Sequence, residues 1–432
     1  MNLPRDAITT ISFIDQYCAA YQDLFPEVRS FECFKFLHLG MISELKRKSL
    51  PAIAKAVGLD NAQRLHHFMA NSPWDVNTIR QRRIRLLLQA LKGKSFIVCI
   101  DETGDKKKGK TTDYVARQYI GNLGKIENGI VSVNAYGILE GITFPLLFKV
   151  YKPRQRLKEN EKYKTKPQLA IEIIKELIAL GFDFTTVLAD SLYGESGDFI
   201  EVLNENKLNF VVAIRSNHSV LMPSGWRVRY NRWKKFDRVF FNGEKQIRYI
   251  REIIFGKRRT MRYWQITTDS LELPENSTWF VMTNLPGDIQ KSVGNVYGLR
   301  TWIEYGLKQS KNELGWADYR LTDYPEIEKW WEIVYSAYLM VSLQSEVFRD
   351  ADLEKTDSPS NLCLDKFQQH SWWDKEKGWK NVLNNLRLIT QPLIFFCLIT
   401  PWLKVFHIPS LKNGFLQLID LMNEFNAYLP DG

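Results

Sequence analysis

The sequence predicts an α/β protein. Its mixed sheet, in the order β-β-β-α-β-α-β, is interrupted by a strand-rich insertion, with helical regions at both ends. Three observations predict this. Residues 6–92 carry apolar side chains at mixed, helix-like spacing. From Ser95 onward, wholly apolar runs of strand length alternate with amphipathic helical spacing. Between residues 215 and 285 that alternation stops, and aromatic and β-branched residues interleave with turn signals.

A chain of 432 residues exceeds what one hydrophobic core usually serves, so more than one domain is expected. The first region, residues 1–93, is read as helical. Ser49–Val57 forms a short helix with Pro51 tolerated in its first turn, and Gly58 stops it. Asp60-Asn61 can cap a second helix over Gln63–Asn71. Helix, glycine turn, helix over 49–71 is the spacing of a helix-turn-helix, although an ordinary helical hairpin has the same pattern. Arg80, Arg82, Arg83 and Arg85 follow on a third helix, where they suggest a basic face.

Residues 94–214 read as the first part of the sheet. Phe96–Ile100 is an apolar strand ending in Asp101. Ile130–Leu139 and Ile142–Val150 are two strands joined at Glu140-Gly141. Ala170, Ile173, Ile174, Leu177 and Ile178 mark a helix, and Phe184–Ala189 is a strand ending in Asp190. A short helix over Asp198–Asn206 leads to a strand over Phe210–Ile214. Residues 215–277 form the insertion, with turns expected at Asn242-Gly243 and Gly256. Residues 278–345 return to the sheet with Thr278–Met282, then a long helical segment over Ser292–Leu314 and an aromatic-rich helix over Ile327–Leu343. The remainder, 346–432, is read as helical beyond a loop at Asp357–Ser360.

Composition narrows the class. Apolar residues make up 45% and charged residues 25%, which excludes a disordered or collagenous chain. Five cysteines without a C-x-x-C spacing fit a reducing cytosol better than a disulfide framework. The opening Met1–Asp6 has no apolar core of a signal peptide. The most apolar stretch, Leu393–Ile399, is bounded by Pro392 and Pro401. It is far short of the roughly 20 residues that span a bilayer, so it is expected to be buried, and no membrane partner is expected.

Asp101 and Asp190 each follow an apolar strand. If those strands are neighbours, both carboxylates project into one crevice, an arrangement that suits a divalent cation such as Mg²⁺. Each alone could equally cap the loop that follows. A third carboxylate comes from the long helical segment. At about 100° per residue, Tyr297, Arg300, Glu304, Lys308 and Lys311 fall on one stripe about 80° wide. Val296, Leu299, Ile303, Leu307 and Leu314 form the adjoining apolar stripe. Ordinary i,i+4 ion pairs would place the same residues there.

Tyr297, Arg300, Glu304 and Lys311 match, without a gap, the Tyr-(2)-Arg-(3)-Glu-(6)-Lys signature. In this the chain resembles bacterial insertion-sequence transposases of the DDE (Asp-Asp-Glu) type. Ile100–Gly104 with Lys107-Lys108-Gly109 and Ala116–Tyr119 is similar to the first-Asp region, and Ala189-Asp190-Ser191 with Tyr193-Gly194 to the second. The likeness runs over roughly residues 45–345. Glu102 stands where many relatives have a second Asp. The resemblance implies a ribonuclease-H-like core and phosphoryl transfer with two Mg²⁺ or Mn²⁺ ions per active site, held by Asp101, Asp190 and Glu304. It implies DNA as partner, both element ends and target, with Tyr297, Arg300, Lys308 and Lys311 on the backbone and a dimer when two ends are synapsed. It also implies a bacterial cytoplasmic protein, nucleoid-associated when on DNA.

The net charge of +10 has an address. From Ala213 to Trp264 there are 14 Lys and Arg against three carboxylates, so the rest of the chain is nearly neutral. Trp226, Tyr230, Trp233, Tyr249, Tyr263 and Trp264 interleave with those cations, as where phosphates and bases are gripped together. Arg232, Lys234, Lys235, Lys257, Arg258 and Arg259 are the expected DNA contacts of the insertion. Lys107, Lys108 and Arg117 are those near Asp101. Two competing readings share the same residues: a non-catalytic, sequence-specific DNA-binding protein derived from a transposase, and a host ribonuclease-H-like nuclease.

Overall fold

The computed structural model describes residues 5–240, 243–257, 260–345, 348, 364–425 and 427–430. Asn242 and the Asp357–Ser360 loop fall outside the described residues. The chain divides into two units. The helical one comprises Met1–Lys92, Thr111–Asp113 and Leu307–Gly432; the sheet-bearing one comprises Gly93–Lys110 and Tyr114–Gly306.

The helical unit opens with α1 (Ser12–Ala19), α2 (Val28–Ile42), α3 (Leu50–Ala56), α4 (Gln63–Ala70) and α5 (Val76–Ala90). Helix α2 is buried on every side from Ser30 to Ile42, which explains its mixed apolar spacing: a helix with no solvent face needs no stripe. Helix α3 is capped by the Ser49 hydroxyl, which accepts from the Ala52 N–H, and Gly58 ends it at φ +77°. Asn61, rather than Asp60, receives the Gln63 N–H at the start of α4. The expected basic face of α5 is largely spent internally. Arg83 and Glu332 form an ion pair in which both side chains are fully buried. Arg80 joins Glu328 and Glu332, and Arg82 joins Asp23.

The sheet-bearing unit contains β1 (Phe96–Lys106), β2 (Ala116–Ile120), β3 (Lys125–Leu139), β4 (Ile142–Tyr151), α6 (Lys166–Ala179), β5 (Phe184–Ala189), α7 (Ser191–Gly194), α8 (Gly197–Glu205) and β6 (Asn209–Ile214). The insertion then supplies β7 (Val228–Tyr230), β8 (Lys234–Val239), β9 (Lys245–Phe255) and β10 (Arg262–Thr267), and β11 (Thr278–Thr283) follows. Among the described residues these form one sheet of 11 strands in the order β2-β3-β1-β5-β6-β11-β10-β9-β7, with β4 on β3 and β8 on β9. β1, β5 and β6 run parallel, and β1 is antiparallel to β3. The insertion's strands thus continue the sheet through β10–β11 and β11–β6.

Three differences from the sequence reading concern the site. Strand β2 was not expected; five residues with only Ala116 and Ile120 buried carry little strand signal. β1 does not end before Asp101, because its antiparallel pairing with β3 continues to Lys106↔Gly129. Only its parallel pairing with β5 ends there, at Ile100↔Ala189. The segment Ser292–Leu314 is not one helix. It breaks into α9 (Val293–Gly298) and α10 (Thr301–Asn312).

The chain continues with α11 (Tyr324–Leu343), α12 (Leu364–Gln368), α13 (Trp379–Val405) and α14 (Pro409–Met422). Leu393–Ile399 is not a buried element of its own. It lies within α13, which runs through Pro392 and Pro401 and is buried toward its start, while Phe395, Leu398, Trp402 and Val405 are exposed. Helix α13 is long and apolar enough to cross a membrane by length and composition alone, which is weak evidence.

Candidate active site

Asp101 and Asp190 occupy corresponding places on neighbouring parallel strands, each directly after the last paired position, Ile100↔Ala189. Asp190 also caps α7, its Oδ1 accepting from the Leu192 N–H at 2.9 Å. Close behind, Gly194 is held so near β6 that a Cβ would lie 1.9 Å from the Ala213 carbonyl oxygen. Asp101 Oδ1 accepts from the Glu102 N–H at 2.8 Å. Burial pushes the Asp101 carboxyl up to about 7; Arg300 opposes that shift, while Asp190 and Glu102 add to it.

Arg300 is the hinge of the site. Its Nη1 stands 3.3 Å from Asp101 Oδ2 and its Nη2 donates to Glu304 Oε1 at 2.8 Å. The Arg300 and Asp101 side chains are 20% and 14% exposed, whereas Glu304 is 54% exposed. Burial raises the Tyr297 phenol above its usual value, and the nearby Arg300 cation opposes that rise.

The break between α9 and α10 decides how these groups meet. Arg300 N–H donates to Tyr297 O, Trp302 N–H to Leu299 O, and Ile303 N–H to Arg300 O, an i→i−3 pattern that turns tighter than an α-helix. Arg238, on β8, donates to the carbonyls of Asn295 at 3.1 Å and Gly298 at 2.7 Å, beside the Leu299 N–H and the Thr301 hydroxyl that those carbonyls also accept. Gly298 accommodates that guanidinium, since a Cβ there would lie 1.2 Å from Arg238 Nη1. Tyr297 and Glu304 are therefore not on one continuous helical stripe. Ile303, Leu307 and Leu314 are buried as expected, whereas Val296 and Leu299 are half-buried.

Lys308 is exposed and Lys311 half-buried further along α10. Lys107 is half-buried, its backbone tied to Asn128 of β3, while Lys108 and Arg117 are exposed. Arg232, Lys234, Lys235 and Lys257 are exposed, and Arg258 and Arg259 lie outside the described residues. Several other cations of the insertion are engaged within the sheet. Arg251 lies over the rings of Tyr230 and Trp233 and bonds Gln265, and Arg262 pairs with Glu252.

Three residues were missed as parts of the site. Lys166 pairs with Glu102 at 2.7 Å. Tyr193 is fully buried, and its hydroxyl is raised well above its usual value by burial and then by Glu102, Asp101 and Asp190. Arg238 is the third. Only Tyr193 had a signal, in the Tyr193-Gly194 pair after Asp190. Both the Tyr193 hydroxyl and Glu102 Oε2 are buried without a hydrogen-bond partner among the described residues.

The donor chemistry fits a hard divalent cation: carboxylate oxygens, a half-buried Asp101 whose charge is incompletely compensated, and the orphaned Glu102 Oε2 on the next residue. Among the described residues no three His, Cys, Asp or Glu side chains stand close enough to hold one ion. Glu304 is instead joined to Asp101 through the Arg300 guanidinium.

Comparison with known proteins decides the family. A profile described as DDE superfamily endonuclease matches residues 21–236, and one described as Transposase DDE domain matches residues 162–340. The chain is 61% identical over 326 residues to a protein of Microchaete diplosiphon described as a probable transposase for insertion sequence element IS701. That match covers 75% of this chain and 86% of the relative. The chain belongs to the DDE transposase family. As a DDE-type transposase it is, by family, an endonuclease and strand transferase. The two DDE profiles together cover the segments that carry Asp101, Asp190 and Glu304.

Proposed function

We propose that this DDE transposase binds the terminal inverted repeats of its own insertion sequence, cuts the DNA there and joins the freed strand to a target. The observation that carries the reading is the end of β1–β5 pairing, where Asp101 and Asp190 follow neighbouring positions and Arg300 joins Asp101 to Glu304. A ribonuclease-H-like core is supported by the order β4-β3-β1-β5-β6, with β1, β5 and β6 parallel.

Asp101, Asp190 and Glu304 would hold two Mg²⁺ or Mn²⁺ ions, which supply activation of water or a DNA 3′-hydroxyl and stabilise the leaving oxygen. Arg300, Lys308 and Lys311 would grip backbone phosphates, with Tyr297 against the same strand. The half-buried Lys107 and the exposed Lys108 and Arg117 would extend that grip near Asp101. Arg232, Lys234, Lys235 and Lys257 would do so on the insertion, together with Arg258 and Arg259. We assign recognition of the end sequence to residues 1–93, with α3 and α4 within 49–71 as the helix pair. Residues 94–214 and 278–345 would carry the catalytic core, residues 215–277 the DNA-gripping insertion and residues 346–432 a helical region. Two ends have to meet in one complex, so a dimer forms on DNA. The reaction belongs in the bacterial cytoplasm, at the nucleoid.

The test is incubation of the full chain with a flanked end fragment and Mg²⁺, beside Glu304→Ala. Wild type is expected to release the end and join it to target, and the variant to bind without cutting. A wild-type protein that cuts regardless of end sequence and never joins strands would contradict the proposal and favour a host nuclease.

A further inference from the structure

Arg300 makes one fork across two carboxylates that come from different elements. Asp101 stands on β1 and Glu304 on α10, and the guanidinium links them at 3.3 and 2.8 Å. A planar, always-charged fork is well shaped to satisfy two acceptors at once. Where Asp101 and Glu304 would share a cation, that positive group is already in place. Neither half of the bridge is strong. The Glu304 arm is largely exposed, and exposed ion pairs are worth little. The Asp101 arm is long for a charge-assisted hydrogen bond. A phosphodiester offers the same fork two acceptor oxygens.

We infer that Arg300 is a placeholder cation: it occupies the carboxylates until a DNA phosphate draws its guanidinium away, so that metal loading is coupled to engagement of DNA. The inference rests on the metal-binding reading of Asp101, Asp190 and Glu304. Arg300 acts here as a positioning residue. Its phosphate contact and its release of Asp101 and Glu304 are two sides of one exchange. By reciprocity, DNA then raises the affinity for metal by the same factor that metal raises the affinity for DNA. Without DNA the protein is held back from loading metal.

The experiment is Mn²⁺ titration of the full chain by calorimetry, with and without an end fragment, for wild type, Arg300→Gln and Arg300→Lys. Circular dichroism checks that each variant is folded. Without DNA, Arg300→Gln is expected to bind Mn²⁺ about tenfold more tightly than wild type, within the usual range for coupled sites. Arg300→Lys keeps the charge but loses the fork, and it too is expected to bind several-fold more tightly. Addition of DNA narrows the difference. A Lys variant equal to wild type would mean that only net charge matters and would overturn the placeholder, as would a Gln variant equal to wild type. The underlying reading fails separately if wild type binds no Mn²⁺, or if binding survives in both Asp101→Asn and Asp190→Asn.

Discussion

At the scale of single residues, charge is placed inside the protein only where a partner or a proton state permits it. Arg83 and Glu332 are both fully buried as an ion pair, and Glu332 is shared with Arg80. His38 is the contrasting case. Its ring is fully buried between the Phe34 carbonyl and the Ser336 hydroxyl, at 2.8 and 2.9 Å, and burial holds its pKa down at about 4. The folded chain therefore keeps His38 neutral in a window where the unfolded chain takes up a proton. Stability falls as pH drops from about 6.5 toward 4 and levels off below that. The expected loss from this group is roughly 3 kcal/mol. Urea unfolding at pH 7 and pH 4 should show that loss in wild type and a markedly smaller one in His38→Gln; equal losses would show that the acid sensitivity lies elsewhere.

At the scale of elements, the corner between α9 and α10 fixes the relation of Tyr297, Arg300 and Glu304, and Arg238 of the insertion holds that corner. Arg238→Ala removes two charge-assisted bonds to carbonyls, a loss on the order of 2 kcal/mol. Gly298→Ala drives a methyl group into the same guanidinium. Both variants are expected to melt earlier and to cut DNA at least about tenfold more slowly, since small misplacements of reacting groups are costly. Their DNA affinity, read by mobility shift, should change little; unchanged cleavage in both would dismiss the corner's role. This corner also shows where sequence reading stops. Asp101 and Asp190 were legible because each ends an apolar run, and the Tyr-(2)-Arg-(3)-Glu-(6)-Lys spacing marked Glu304. The break was not, because a wheel at constant pitch assumes an unbroken helix, and what caps α9 is an arginine some sixty residues earlier in the chain. The true length of β1 was hidden for a similar reason: it is set by pairing with β3, not by its own composition.

At the scale of the whole molecule, the excess positive charge concentrated between Ala213 and Trp264 divides into cations used within the sheet and cations left exposed. Reversing the exposed Lys234, Lys235 and Lys257 to Glu is expected to weaken DNA binding and to flatten its log–log salt dependence by roughly 2–3, about one per lost phosphate contact. Reversal of the equally exposed Lys175, Lys207 and Lys412 should leave the slope nearly unchanged, and equal effects from both sets would refute the insertion's role. The central claim is that Asp101, Asp190 and Glu304 form one metal-dependent centre for cutting DNA. Its most direct measurement is Mg²⁺-dependent nicking of an end fragment by Asp101→Asn, Asp190→Asn and Glu304→Gln, with binding measured in parallel. All three are expected to bind the end and none to cut it; full cleavage by any one of them would contradict the account.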